Sequence, residues 1–281
     1  MIVSGEKVES QVVPVGKVSG TKRPTIGFPY FLIAPISIMI AWETVSRLHL
    51  MPTLLFPSLE TIVLTTLDTL TGFWGTTQWY SGALLTHASA SLLRVATGFA
   101  IGGSLGVAVG ILAGLSDRMC RTIDPTLQFL RPVPITAWIP LAVAWFGIHE
   151  RPAIFLIALG TFFATYLNAR HGVKYVDPVL VRAARMLGYN TRWEVLRTVV
   201  IWSALPNIFT GLRIGLGLAW MCVVAAEMLA VKSGLGYMLW DAYNFLRIDL
   251  IITGMISIAL LGYLSDRVLL LFQRIVLKWE Q

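Results

Sequence analysis

Six stretches of apolar residues, each close to the length of a membrane crossing, dominate this chain: 28–48, 90–115, 132–148, 152–170, 207–231 and 250–272. A helix rises about 1.5 Å per residue, so about 20 residues cross a hydrocarbon core of roughly 30 Å. Backbone amides in lipid have no water to bond, and a helix satisfies them internally. The composition agrees, with 56% hydrophobic and only 13% charged residues, where a soluble domain carries about a quarter charged. The expected fold is an all-α polytopic membrane protein with six transmembrane helices in residues 28–281. A polar tail, residues 1–27, precedes them and lacks the early apolar core of a secretory signal.

The formal charge is +7, yet the basic residues sit in short segments between spans and not in one stripe, which argues against nucleic acid as a partner. One set of segments holds Lys7, Lys17, Lys22 and Arg23 in the tail, Arg118, Arg121 and Arg131 in a loop over 116–131, Arg170 to Arg197 around a polar insert, and Arg274 and Lys278 at the end. The opposite set holds only Arg151, Lys232 and Arg247, and nothing basic lies from Leu48 to Leu93. Lys and Arg stay preferentially on the cytoplasmic side, so both termini and the insert are expected there. In the basic-free segment, Ser58 is placed to cap a short amphipathic helix, and Trp74, Trp79 and Tyr80 suit a membrane interface. Cys120 and Cys222 are too few and too far apart in context for a disulfide framework or a metal site.

Gly98, Gly102, Gly106, Gly110 and Gly114 recur every four residues and so form one smooth groove along the second span, a face that lets a neighbouring helix approach closely. Gly211 and Gly215 offer a shorter face in the fifth span. Pro132, Pro134 and Pro140 each remove an amide donor, so the third span should start irregularly and bend.

The polar insert, residues 171–206, is too charged to cross a bilayer. Asp177 and Pro178 form a helix start, and Gly188 a stop, predicting a helix over Pro178 to Leu187. Thr191 and Glu194 have capping-box spacing and launch another helix running to a break at Pro206. On the first helix Val181, Ala184 and Leu187 should share a face and Arg182 and Arg185 another, with Ala183 and Ala184 small enough for a partner to approach.

Charge inside a span is costly, roughly 2.5–3.5 kcal/mol at mid-helix. Arg94 and Glu227 both fall near the outer ends of their spans and Arg213 near an inner end. Two readings stand open: Arg94 or Arg213 attracts an oxyanion, or Arg94 pairs with Glu227 while Arg213 snorkels to the interface. Asn168, Trp220 and Asp241 are further candidates to line a translocation path. No GxxxxGK[ST] loop is present, so the chain has no phosphate cradle of its own for ATP. His49, His87, His149 and His171 show no metal-ligand spacing.

The stretch RAARMLGYNTRWEVLRTVVIWSALPNIFTGLRIGLGLAW resembles the cytoplasmic EAA loop and following helix of binding-protein-dependent ABC importer permeases, with Ala183, Ala184 and Gly188 at the motif's Ala, Ala and Gly positions. Arg182 stands where the motif has glutamate, and Ile201-Trp202 where it has Leu-Pro. SLLRVATGF, DPTLQFLRPVPITAWIPLAVAWFGI and SGLGYMLWDAYNF look like the taurine, alkanesulfonate, nitrate and bicarbonate group of that family. The resemblance implies a type I importer fold in a bacterial inner membrane, non-catalytic in itself. It implies a second permease subunit in a homodimer, an external substrate-binding protein, and separate ATPase subunits that hold ATP and Mg. It also implies that Val181, Arg182, Ala183, Ala184, Arg185, Leu187 and Gly188 belong to a coupling helix docking on an ATPase. A self-contained secondary transporter or channel is the alternative, and a membrane enzyme a third reading; the spans show no inverted halves and no filter-like loop.

Overall fold

In the computed structural model, residues 33–48, 52, 54–73 and 80–278 are described, and all regular structure among them is helical. The tail over 1–27, residues 28–32 of the first span, His49, Trp74 and Trp79 lie outside them. The helices are α1 Ile33–Arg47, α2 Leu59–Thr71, α3 Leu84–Leu115, α4 Asp117–Leu130, α5 Ile139–Phe146, α6 Glu150–Lys174, α7 Pro178–Met186, α8 Arg192–Val195, α9 Ile201–Ala230, α10 Leu235–Asn244 and α11 Ile248–Val276. Four helical runs are long and apolar enough to cross a membrane: α3, α6, the run from Arg192 to Ala230, and α11. The bent pair of α4 with the segment Ile135–Phe146 makes a fifth if counted as one broken span. Six crossings are compatible with this arrangement, α1 being a 15-residue helix over its described part and shorter than a full crossing.

The glycine groove of α3 finds its partner in α6. A Cβ on Gly98 would stand 2.6 Å from Ile157 Cβ, on Gly102 2.2 Å from the Ala158 carbonyl, on Gly110 2.7 Å from Ala169 Cβ and on Gly114 2.7 Å from Val173 Cβ. Contacts climb both helices together, so α3 and α6 run parallel. Gly211 and Gly215 of α9 meet Asn168 and Thr161 of α6, and Gly172 meets Asn207; this order is reversed, so α9 is antiparallel. The ends of α3 and α6 and the start of α9 therefore lie at one end of the bundle, bringing segment 116–131 and the polar insert together. Helix α11 returns toward that end: its start bonds to α2, where Thr65 Oγ1 donates to Asp249 Oδ2 at 2.9 Å, and Asp266 reaches Arg213 of α9.

Three boundaries differ from expectation. The second span begins at Leu84 and not near 90, because the polar residues of its first turns have partners: Ser91 Oγ donates to Glu227 at 2.8 Å. Segment 116–131 is a helix and not a loop, capped by Ser116 and interrupted by a 90° turn at Pro132–Pro134 before a 3-10 turn over Ile135–Trp138 and α5. Pro140 sits in the first turn of α5, where a missing amide costs little. The third difference is at Pro206, which lies inside α9 without ending it; the irregularity comes earlier, as a π turn over Leu196–Val200. Ala204 and Ile208, on either side of the proline, are buried in one cluster with Ala169 and Val173 of α6, and this packing holds the helix through the lost bond.

The segment after Ser58 is helical as its cap predicts, with Thr61 N donating to Ser58 Oγ at 3.2 Å. Tyr80 is 8% exposed and packs with Leu84, Leu235 and Met238, so its ring faces protein.

Candidate functional site

Two polar constellations stand at opposite ends of the bundle. At the insert end, Asp177 Oδ1 accepts from Val179 N at 2.7 Å, and Pro178 occupies the first turn of α7 where an amide donor is dispensable. The helix ends at Met186, one residue before the expected Leu187. Gly188 adopts φ +95 with nothing near its Cβ position, so its requirement is conformational and not spatial. Tyr189 N then bonds back to the Ala184 carbonyl at 3.2 Å. The capping box is complete: Thr191 N donates to Glu194 Oε2 at 3.0 Å and Glu194 N to Thr191 Oγ1 at 3.2 Å. Both flanks of α7 are thus pinned by local bonds, which makes it a stiff short lever on the end of α6 and α9.

Ala184 is 2% exposed and Val181 half-buried against the α6–α9 cluster. Leu187 does not join them; it is 79% exposed, because the helix has already ended and the chain turns outward. Ala184 is covered by its own chain, leaving Ala183 as the small residue open to a partner, with Arg182, Arg185 and Gly188 also exposed. Val179, Leu180 and Met186, absent from the sequence-level candidates, are exposed apolar residues of the same helix. Val179, Ala183 and Met186 follow i, i+4, i+7 spacing, so they form an outward stripe. Plotting the insert at 100° per residue exposes that second apolar face.

At the far end Arg94 and Glu227 meet. Arg94 Nη1 lies 2.6 Å from Glu227 Oε1, with side chains 2% and 0% exposed. Nη1 also donates to the Ser233 carbonyl at 2.9 Å, and Nη2 to Ser233 Oγ at 2.5 Å and to Glu150 Oε1 at 3.2 Å. Glu227 further accepts from Ser91 Oγ at 2.8 Å and from Gly236 N at 2.9 Å. Gly234 is at φ +110, and a Cβ there would stand 2.2 Å from Glu227 Cδ. The SGLG turn therefore wraps the carboxylate. His87 Nδ1 lies 3.0 Å from Gly234 N and 3.1 Å from the Gly234 carbonyl oxygen, which ties the start of α3 to the same turn.

The remaining candidates do not join that cluster. Arg213 reaches Asp266 of α11 through two contacts of 2.9 and 3.1 Å, so it is paired and not merely snorkelling. Trp220 Nε1 donates to Ser265 Oγ at 2.9 Å, and Asn168 bonds within its own helix to the Ala164 carbonyl at 2.8 Å. Asp241 accepts from Tyr80 at 2.7 Å; burial first, then this bond, raises the Tyr80 phenol above its usual range. A cavity of about 230 Å³ between the 3-10 turn and α9 is lined by Pro134, Thr136, Leu156 and Cys222 among others, and by none of the six translocation candidates.

The sequence profile of the family "Binding-protein-dependent transport system inner membrane component" matches residues 106–279. The putative aliphatic sulfonates transport permease protein SsuC of Bacillus subtilis is 37% identical over 277 residues, 99% of this chain and 96% of its own. The taurine transport system permease protein TauC of Escherichia coli is 38% identical, covering 86% of each chain, and the nitrate import permease protein NrtB of a Synechocystis strain is 38% identical, covering 68% and 70%. Among solved structures, a chain of the inward-facing MetNI methionine ABC transporter superposes with a TM-score of 0.55 over 69% of this chain and 95% of its own, at 18% identity, which speaks for the fold. The apolar parallel and antiparallel spans, the capped short helix α7 and these relatives agree, and the chain belongs to the family of binding-protein-dependent transport system inner membrane components, as a multi-pass ABC permease subunit.

Proposed function

We propose that this permease forms the translocation path for a small anion, of the sulfonate, taurine or nitrate kind named in its relatives, delivered by an external binding protein. ATP and Mg are held by separate ATPase subunits, a second copy of the chain completes the pore, and both termini and the insert face the cytoplasm. Helix α7 is the coupling element. The supporting observation is its exposed apolar stripe, Val179, Ala183 and Met186, on a helix pinned at both ends and rooted by buried Ala184. A rigid, anchored helix passes the motion of a docked motor to α6 and α9 as a body. The Arg94–Glu227 cluster supports the paired reading of those charges, which leaves substrate contact to other groups.

The experiment is reconstitution of the permease with its ATPase and binding protein in vesicles. Anion uptake should require ATP and all three components, and Met186→Asp should abolish ATPase copurification. Uptake by the purified permease with no ATPase present would overturn the proposal.

A further inference from the structure

A second cavity, of about 1050 Å³, opens where the end of α3, the start of α4 and the α7–α8 turn converge. Three arginines from three elements line it: Arg118 of α4, Arg185 of α7 and Arg192 of α8. None forms an ion pair with any described residue, whereas Arg94, Arg170, Arg213 and Arg247 all meet carboxylates. Asp117 is the one acid in the cavity wall. Three like charges around one open space repel each other, and an anion between them relieves that repulsion.

The surroundings narrow the anion's identity. The cavity lies at the end of a 32-residue apolar span, the end at which a crossing helix leaves the hydrocarbon core for the polar interface. Trp193 in its wall is 68% exposed, and Leu115, Leu196 and Val200 add apolar wall beside the arginines. An exposed tryptophan next to basic and apolar surface fits an amphiphile better than a small free ion. Val181 and Arg185 share the flank of α7 that faces the cavity, one turn apart. The outward stripe of Val179, Ala183 and Met186 is a different flank of the helix.

We propose that this cavity binds the headgroup of an anionic phospholipid, with the arginines forking onto its phosphodiester and the acyl chains leaving along the apolar wall. The inference rests on the spans lying in lipid and is independent of the substrate and of the docking role of α7.

The test is native mass spectrometry of the complete transporter released from membranes of mixed phosphatidylglycerol and phosphatidylcholine. Phosphatidylglycerol should stay bound to each permease copy while phosphatidylcholine does not. The double variant Arg118→Gln/Arg192→Gln should retain about tenfold less or lower, with ATPase copurification unchanged. If the double variant fails to assemble, each single variant should still show a partial loss. Equal lipid retention in wild type and variants overturns the proposal. So does displacement of the lipid by millimolar inorganic phosphate, which points to a soluble phosphate, or loss of the ATPase with lipid retained, which points to an acidic protein partner.

Discussion

At the scale of single residues, the buried pair of Arg94 and Glu227 carries the largest expected effects. Glu227→Gln leaves a guanidinium in a dry site, and removing one member of such a pair costs about 3–5 kcal/mol. We expect Glu227→Gln and Arg94→Gln each to lower the thermal unfolding midpoint and the yield of folded protein, and the double variant to recover most of both. Losses that simply add would show that the two groups act separately. The pairing was open to a reading of depth along two spans, since both residues fall near outer ends; the serines and the backbone amide that complete the cradle were not, because Ser91 belongs to α3 while Ser233 and Gly236 belong to the turn after α9, and only folding brings the two together. Gly188 is a second residue-scale case. At φ +95 a β-branched side chain is strained and proline excluded, so Gly188→Val or Gly188→Pro should insert normally into membranes yet lose uptake by tenfold or more, in the order of about 1–3 kcal/mol of strain. Wild-type uptake in either variant would remove the turn from the coupling path.

At the scale of elements, the close contact of α3 with α6 separates glycines that matter from one that does not. A Cβ on Gly102 would sit 2.2 Å from a carbonyl oxygen of α6, while one on Gly217 meets nothing within 4 Å. Gly102→Ala should therefore destabilise by about 1–3 kcal/mol through overpacking, and Gly217→Ala should be neutral or stabilise by up to about 1 kcal/mol through helix propensity. Thermal unfolding in one detergent reads both. The four-residue glycine period announced a packing face at once. The bend between α4 and α5 was half legible: three prolines marked an irregular start, but the size of the turn and the helical state of 117–130 depend on what α4 lies against. Asp124 of α4 bonds to Tyr166 at 3.0 Å and to Arg170, both on α6. Likewise Pro206 looked like a helix end, and burial of its neighbours against α6 overrode the local rule.

At the scale of the whole molecule, parallel α3, α6 and α11 with α9 antiparallel to them place every strongly basic segment of the described chain at one end. That end should be cytoplasmic. A cysteine replacing Asn190, in a variant lacking Cys120 and Cys222, should react with a membrane-impermeant thiol reagent in inside-out vesicles and stay unlabelled in intact cells; the reverse pattern would invert the molecule and remove α7 from any cytoplasmic motor.

Apolar period, cap spacing and motif are properties of neighbouring residues, and they were enough to establish a helical membrane protein, the short helix α7 with its flanking caps, and the permease family. Tertiary structure alone decided which face of α7 is turned to the protein, that Asp266 answers Arg213, and that Arg118 shares one cavity with Arg185 and Arg192. Each of those depends on where a separate helix lies, and a contact between distant segments leaves no trace in local spacing.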